Sequence, residues 1–479
     1  MINLNLIDKK LPKDIIISGI QNHSKKVKKG DLFVAIKGSK ENGINFIKEA
    51  ISHGAVAVLT SDKTLNISNY SIPIINVSNP RKKLSEISKL LFPNSPKVIC
   101  GVTGTNGKSS TIDFLYQIWC LLGFNAASIG TLGVKSKDFN FKTKNTTPDS
   151  IELHKMINDL SLSGVSHLAL EVSSHAIDQN RIDSVNFESV CFTNLSLEHL
   201  DYHKNLENYS NIKFKLFDKI LKPNKTSVIC IQDKQGANFL KNLKALNKKV
   251  IDVGEGAEYL NLISIKKSAK GSEVEIIYLE KCYSFIFEFK ASFQILNLLC
   301  AAGLAITSGC DHQKVFSVLE KIKPVEGRFE LINLNNNLNI IIDYAHTPEA
   351  LSCVLENIKK EYLKKIVLIF GCGGDRDKSK RFLMGKVAEK YCDEIIITND
   401  NPRNEDPSSI ANQILKGCSG AEIILDRVEA IKSGLSKIND NEVLLIAGKG
   451  HEEFQIIGDD KIPFSDRKVV ENFFEASHE

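Results

Sequence analysis

The chain has no CxxC pair: its eleven cysteines stand singly between Cys100 and Cys418. That argues against a disulfide framework and points to a reducing, cytoplasmic setting in which most cysteines act as small buried hydrophobes. No stretch approaches the roughly 18 apolar residues of a spanning helix, and the opening MINLNLIDKKLPKD lacks the apolar core of a signal peptide, so no membrane insertion is expected. Neither sign of charge dominates. With 62 basic against 57 acidic residues the net charge is +5, too balanced to indicate a nucleic-acid partner and better suited to small anionic substrates. Internal repeats and low-complexity segments are also lacking. What is there is ordinary for a globular protein, 42% hydrophobic and 25% charged. At 479 residues the chain is too long for one core, and roughly three domains are expected.

The most informative stretch is KVICGVTGTNGKSSTIDFLYQIWCLL, residues 97–122. A β-branched run leads into a Gly-rich turn ending Gly107-Lys108-Ser109, followed by apolar residues at helical spacing. Such a turn brings backbone N–H groups and a helix N-terminus to phosphate oxygens, with Lys108 reaching the β/γ-phosphates and Ser109 available to Mg²⁺. The strict G-x-x-x-x-G-K-[ST] pattern lacks its first glycine, because Val102 stands there. A plain strand-to-helix turn with an incidental lysine is the alternative.

Before this stretch, residues 1–92 alternate strand-like and helix-like pieces, with Ser24 and Asn42-Gly43 as polar features that ordinary turn chemistry also explains. FPNSPK, residues 92–97, reads as a linker. After it, an apolar strand ends in Glu171, where a carboxylate beside a phosphate loop is placed to hold Mg²⁺. Alone, Glu171 would be a surface strand end. His199, Asp201 and His203 cluster in one loop, but without cysteine or a helical His pair they are a poor zinc set. Leu206, Tyr209, Ile212, Leu216 and Ile220 predict one apolar helical face, which leaves Lys213 and Lys215 on a solvated one. VEIIYLEKCYSFIFEFK reads as a hairpin and ILNLLCAAGLAITSG as a buried helix.

From residue 339 onward βα alternation predicts a doubly wound parallel sheet, with strands at Ile340, Ile366, Glu394, Glu422 and Val443, each followed by a helix. GCGGDRDKSKR is not a dinucleotide fingerprint, since Arg376 occupies the position that needs glycine. The loops 343–348, 371–381, 400–407 and 448–452 should open to one edge and converge on a site.

Taken in chain order, SKKVKKGDLFVAIKG, GVTGTNGKSST, NTTPD, EVSSHAIDQNRI, TNLSLEHLDYH with YSNIK, PVEGRFE, DYAHTPEAL, GCGGDRDKSKR, DNPRNEDP and GKGHEEFQ resemble the Mur ligases over nearly the whole chain. These are the ATP-dependent amide-forming enzymes of peptidoglycan precursor synthesis, and the chain is most similar to the branch that adds the third peptide residue. An aliphatic residue at the position of Val102 is usual in that family.

The resemblance implies an α/β protein of three domains: a smaller N-terminal α/β UDP-binding domain over 1–95, a central P-loop-type ATPase sheet over 96–327 and a C-terminal Rossmann-like sheet over 328–479. It implies γ-phosphate transfer from ATP to the D-Glu carboxylate of UDP-MurNAc-L-Ala-D-Glu, then attack of an amine on the acyl phosphate. Charge neutralisation by Lys108 and Mg²⁺ suits transfer between two anions. By the same resemblance, Gly104, Thr105, Asn106, Gly107, Lys108, Ser109, Ser110, Asn297, Arg328, Asp343 and His346 belong to the ATP site. Ser24, Thr146, Thr147, Ser173, Gln179, Arg181 and Lys213 belong to the UDP-MurNAc-dipeptide. Ser109, Glu171, His199 and Lys213 belong to the metal, and Lys108, Lys213, His199 and Glu171 to catalysis.

Lys213 matches the lysine that the family carries as a carbamate formed with CO₂, which replaces the solvated-face reading. A lysine near its reference pKa of ~10.4 is only about 0.1% neutral at physiological pH, so a carbamate favours a site that lowers that value. Arg381, Asp400, Asn401, Pro402, Arg403, Gly448 and Glu452 match positions around the incoming amino acid, and Asp400-Asn401-Pro402-Arg403 matches the pattern associated with meso-diaminopimelate. Arg403 can pair with the distal carboxylate that lysine lacks. An unpaired guanidinium in a closed site costs roughly 3–5 kcal/mol, on the order of 10²–10³ or more in discrimination.

Lys25, Gln294 and Ser109 depart from common family residues, the last keeping the hydroxyl. The alternatives are a lysine-adding relative, a folylpolyglutamate synthase-like ligase, against which the N-terminal motif and DNPR argue, and a protein that uses ATP only as a switch. A monomer is expected.

Overall fold

The computed structural model describes residues 1–3, 5, 15–38, 41–196, 200–268, 271–288, 291–332 and 338–475. Its three main sheets follow one another along the chain. In the first, parallel strands Gly19–Gln21, Asp31–Val34, Ala57–Thr60 and Ile74–Asn76 lie in that order. Apolar side chains alternate to both faces of these strands and form two small clusters, one packed under helix Pro80–Leu91. That helix starts sharply, since Pro80 supplies no N–H and the Asn79 side chain accepts from Lys82 N (3.0 Å).

Among the described residues the central sheet has eleven strands, and Val98–Thr103 runs through its middle with every residue buried. A continuous apolar run of this kind suits a parallel strand covered on both faces. His167–Glu171 pairs with it on one side and Ser189–Phe192 on the other. The chain fills one side of Val98–Thr103 first and then crosses to the other, so a switch point opens at its carboxyl end. Helices Lys108–Leu121 and Ser292–Thr307 pack together over one face, the second almost entirely buried as its sequence predicts. The predicted hairpin is the pair Gly271–Tyr278 and Lys281–Phe287 at the far edge.

The third sheet has the order Glu330–Ile332, Asn339–Asp343, Glu442–Ala447, Lys365–Phe370, Glu394–Ile397, Glu422–Ile423, all parallel except the first strand. Apolar clusters cover both faces, as a doubly wound sheet requires. In one respect the structure differs from the alternation predicted from sequence. After Glu442–Ala447 comes a small antiparallel hairpin, Phe454–Ile457 with Asp460–Pro463, and only then helix Asp466–Glu475. Gln455 and Ile462 make a short strand pair whose alternation is too brief to stand out in sequence.

Among the described residues no helix is long and apolar enough to cross a membrane. All eleven cysteines are free.

Candidate active site

At the carboxyl end of Val98–Thr103 the backbone turns through Gly104 to Gly107 into helix Lys108–Leu121. Gly107 has φ +82°, and a Cβ there would lie 2.2 Å from Asn297 Oδ1, so glycine is required on both counts. The loop is tied to the next strand's end: Asn194 O accepts from Thr105 N (2.9 Å), its Oδ1 from Asn106 N (2.9 Å), and Thr193 Oγ1 donates to Asn106 O (2.6 Å). These bonds hold the loop open in the shape of an anion cradle.

Two lysines crowd its mouth. Lys108 Nζ donates to Gly104 O (3.1 Å) and Thr105 O (2.7 Å), and Lys213 Nζ donates to the same Gly104 O (2.7 Å) while lying 4.4 Å from the Tyr209 ring centre. Lys213 is 1% exposed, which overturns the solvated face that periodicity predicts; Lys215, two residues on, is exposed. Helix Leu206–Lys215 turns that face inward against the phosphate loop, so a polar side chain lies where the pattern foretold water. Two ammonium groups on one carbonyl concentrate positive charge where a phosphate would sit.

Across the cradle, Ser109 Oγ donates to Glu171 Oε1 (3.0 Å), and Glu171 Oε2 accepts from Thr131 N (2.6 Å). Glu171 is 1% exposed, so it is no surface strand end. Arg328, from the connection into the third sheet, donates through Nη2 to Ser109 Oγ (3.1 Å) and stacks 4.4 Å from the Tyr344 ring centre; its Nε is buried without a partner among the described residues. Asp343 is buried with both oxygens bound to backbone, Oδ2 to Phe329 N (2.6 Å) and Oδ1 to Ala345 N (2.7 Å). Burial raises its pKa against the opposing pull of Arg328 and those two N–H groups. A cleft of about 390 Å³ opens between the central and C-terminal sheets here, lined by Asn106, Ser110, Asn297, Arg328, Asp343 and His346 among others. His199 lies outside the described residues.

The residues expected at the UDP-MurNAc-dipeptide form a second network. Thr146 Oγ1 is 3.1 Å from Thr131 Oγ1, Thr147 Oγ1 donates to Glu171 O (2.7 Å), accepts from Ser173 N (3.0 Å) and lies 3.3 Å from Ser173 Oγ, and Arg181 donates to Thr147 O (2.7 Å) and twice to Gln179 Oε1. Glu171 therefore belongs to both networks. Ser24 does not join them. It is buried in the N-terminal sheet's own lobe, where its carbonyl lies 3.0 Å from His53 Nδ1. That lobe meets the central one at Asn79 and Asn180, whose side chains are 3.2 Å apart beside Arg181.

The four C-terminal loops do converge. Gly448 N donates to Asp343 O (3.1 Å), Lys380 Nζ to His346 O (2.8 Å), Gly374 N to Asn401 O (2.9 Å), and Asn401 Nδ2 to Glu452 Oε2 (3.0 Å). Gly374 must be glycine, since a Cβ would lie 1.8 Å from Pro402 O. A Cβ on Gly448, at φ +109°, would stand 2.9 Å from Asp400 Oδ2, so the Asp400 carboxylate packs closely over this glycine. Arg403 takes φ +51°, a left-handed conformation that costs a non-glycine residue about 1–3 kcal/mol. The unforeseen hairpin holds it there: Arg403 N donates to Ile456 O (3.1 Å) and Gly458 N to Arg403 O (2.9 Å). Its guanidinium rests on Gly374 O (2.7 Å) and, more loosely, on Asn401 O (3.4 Å), and among the described residues it has no carboxylate partner.

Arg381 is fully buried and bound by both terminal nitrogens to Glu405 (2.9 and 3.0 Å) and to Gln413 (3.0 Å). Those bonds, Arg381's first among several, pull the Glu405 pKa down to about 2. The Arg381 Nε is buried with no partner among the described residues.

Sequence reading missed several contributors: Asn194, which braces the phosphate loop; Tyr344, which carries Arg328; and Lys449, fully buried beneath Asn401 and Glu452. Their only sequence signal was membership of motifs already singled out. His451 is pushed down to about 3 by burial, with Arg328 and Lys142 adding to the effect, so its imidazole is neutral. Across the same seam Lys142 of the central lobe pairs with Glu453 of the C-terminal one at 2.5 Å.

Three family models match along the chain: the Mur ligase family catalytic domain over residues 16–91, the Mur ligase middle domain over 102–305 and the Mur ligase glutamate ligase domain over 327–450. The chain is 41% identical over 471 residues to a Rickettsia montanensis protein named UDP-N-acetylmuramoyl-L-alanyl-D-glutamate--2,6-diaminopimelate ligase, covering 96% of this chain and 97% of the relative. It is 38% identical to a protein of the same name from Rhizobium meliloti (strain 1021), covering 95% and 94%. A solved structure of an enzyme with that name superposes with a TM-score of 0.71 at 28% identity, over 100% of this chain and 99% of the other. Sheet order, phosphate loop and likeness over nearly the full length agree, and the chain belongs to the Mur ligase family.

Proposed function

We propose that this protein is the ATP-dependent ligase that joins meso-2,6-diaminopimelate to UDP-MurNAc-L-Ala-D-Glu in peptidoglycan precursor synthesis, with release of ADP and phosphate. The observation that carries the reading is Arg403, a residue held in a strained backbone conformation whose guanidinium has no carboxylate partner among the described residues, on the same cleft-forming loops that meet the nucleotide site.

The residues divide the work in a chemically consistent way. The loop N–H groups and Lys108 receive the triphosphate, and swinging Lys108 off Gly104 O and Thr105 O frees its donors for phosphate oxygens. Arg328 lies beside Ser109 at the γ-phosphate end of the cradle and holds the charge that develops as the phosphoryl group moves to the D-Glu carboxylate. Thr147, Ser173 and Arg181 hold the dipeptide, one strand away from the loop. Ser24, in the N-terminal lobe, takes the uridine end. Arg403, Asn401 and Glu452 then orient diaminopimelate so that its free amine faces the acyl phosphate.

Ser109 Oγ and Glu171 Oε1 are hard oxygen donors 3.0 Å apart. They fit a Mg²⁺ that arrives with the nucleotide, with His199 as a further ligand, and the ion when bound offsets phosphate charge. Lys213, buried against Gly104 O, is the residue that would carry the carbamate. Limits of 1–95, 96–327 and 328–479 for the three domains, a reducing cytoplasmic location and a monomeric state complete the reading.

The test is to incubate the protein with ATP, Mg²⁺ and UDP-MurNAc-L-Ala-D-Glu, with either diaminopimelate or lysine, and to follow the nucleotide product by chromatography and mass. The reading expects a diaminopimelate adduct formed at least about 10²-fold faster than a lysine one. Equal rates would replace it with a lysine-adding ligase; no adduct would refute it.

A further inference from the structure

Lys449 is absent from the set of residues assigned so far to the amino acid, yet it is among the largest fully buried side chains of the chain. Its Nζ donates to Asn401 Oδ1 (3.1 Å) and to Glu452 Oε2 (2.8 Å), while Asn401 Nδ2 donates to the same Glu452 Oε2 (3.0 Å). A second donor, Ile456 N, also reaches Asn401 Oδ1 (2.9 Å). The triangle is closed. It joins loop 400–407, loop 448–452 and the hairpin that pins Arg403.

An ammonium has three donors and no acceptor, and a backbone N–H is likewise only a donor. Flanked by both, Asn401 must present its oxygen to them and its NH₂ to Glu452; the opposite amide orientation would set donors against donors. Glu452 Oε2 is in turn saturated by Lys449 and Asn401. Among the described residues, one N–H of Asn401 and the Oε1 atom of Glu452, whose side chain is 21% exposed, are left without a bond. A donor and an anionic acceptor therefore stand side by side, the donor on the residue whose backbone carbonyl the Arg403 guanidinium approaches at 3.4 Å. That pattern is the complement of a zwitterion: a carboxylate for Arg403 and the Asn401 N–H, an ammonium for Glu452 Oε1.

We infer that Lys449 is a positioning residue which fixes the amide sense of Asn401 and one oxygen of Glu452, so that the site reads the distal amino acid head of its substrate as a zwitterion and not as a carboxylate alone. The inference rests on the proposed diaminopimelate-adding function. With a neutral apolar side chain at 449, Asn401 keeps only Ile456 N to hold its amide sense, and Glu452 is free to turn its charge toward the vacated space. The ammonium half of recognition is then lost, while the Arg403 half stays.

Two analogues separate the halves. Lysine keeps the distal ammonium without the carboxylate, and 2-aminopimelate keeps the carboxylate without the ammonium. Ligation is measured for wild type, Lys449→Met and Lys449→Arg with diaminopimelate and each analogue, together with the KM for ATP. In the wild type diaminopimelate is favoured over 2-aminopimelate by on the order of 10²-fold in kcat/KM. In Lys449→Met that preference falls to within about tenfold through a raised KM for diaminopimelate, with the KM for ATP changed less than about threefold. Lys449→Arg, which keeps charge and donors in a shifted geometry, falls between the two. A merely structural lysine would lower activity with both substrates alike and leave the preference intact, which overturns the inference. Should Lys449→Met not fold, Lys449→Arg carries the test, and a wild-type preference there overturns it equally. Failure of the wild type to ligate diaminopimelate would refute the underlying function instead, a result distinct from an unchanged preference.

Discussion

The phosphate cradle and the amino-acid corner are built in opposite ways. The cradle is local: strand, glycine turn, lysine and helix come from one stretch between Val98 and Leu121, braced by the end of a neighbouring strand. The corner is assembled from loops 371–381, 400–407 and 448–452 and a hairpin beyond them, with bonds such as Gln455 to Asp400 O that join residues 55 positions apart. A local site is set by short-range backbone geometry and withstands shifts between lobes. A non-local one depends on every loop arriving together, and so its failure should show in substrate choice before it shows in nucleotide binding.

Removing either cradle lysine is the largest break. Lys108→Ala, which loses a donor to developing charge, and Lys213→Ala, which loses the residue that would carry the carbamate, should each lower ligation by at least on the order of 10²–10³-fold; steady-state phosphate release checks it. For Lys213, near-normal turnover would remove the carbamate from the account. Arg403→Ala, on the corner side, should cut kcat/KM for diaminopimelate by roughly 10²–10³-fold while the KM for ATP stays within about twofold. Equal loss of both would show that the two regions are not separable as described.

A smaller effect falls on stability. Glu405→Gln leaves the fully buried Arg381 without its carboxylate, an uncompensated buried charge that should cost about 3 kcal/mol in denaturant unfolding of the C-terminal lobe. The same pair gives a pH signature. The Glu405 pKa is pulled to about 2, below an ordinary value of ~4.3. Its contribution is therefore complete above about pH 4.3 and drains away as pH falls through about 2, so the wild type should lose its advantage over Glu405→Gln across that window in thermal unfolding. The least effect belongs to Lys142→Ala. Its pair with Glu453 is about half exposed on both sides, and an exposed pair of this kind contributes no more than about 1 kcal/mol and weakens with salt.

How much of this could be read from the sequence follows the same division. The loop from Gly104 to Ser109 and the buried carboxylate Glu171 are short-range features, visible as spacing and as a strand end beside it. Lys213 was legible only through family resemblance, because helical periodicity reports an apolar stripe and cannot tell a lysine in water from one buried against Gly104 O. Arg403 was legible as a residue but not in its conformation: the left-handed backbone is imposed by the Phe454–Ile457 strand, which is too short for its alternation to register. Lys449 carries no signal of its own, since its burial exists only once Asn401 and Glu452 meet above it.

The most direct test of the account is phosphate release by the intact chain with ATP, Mg²⁺ and UDP-MurNAc-L-Ala-D-Glu, measured with diaminopimelate, with lysine and with no amino acid, in wild type and Arg403→Ala. The account predicts sustained release only for the wild type with diaminopimelate, and a collapse toward the lysine rate in Arg403→Ala. Release of equal rate under all three conditions, unchanged by the substitution, would contradict it.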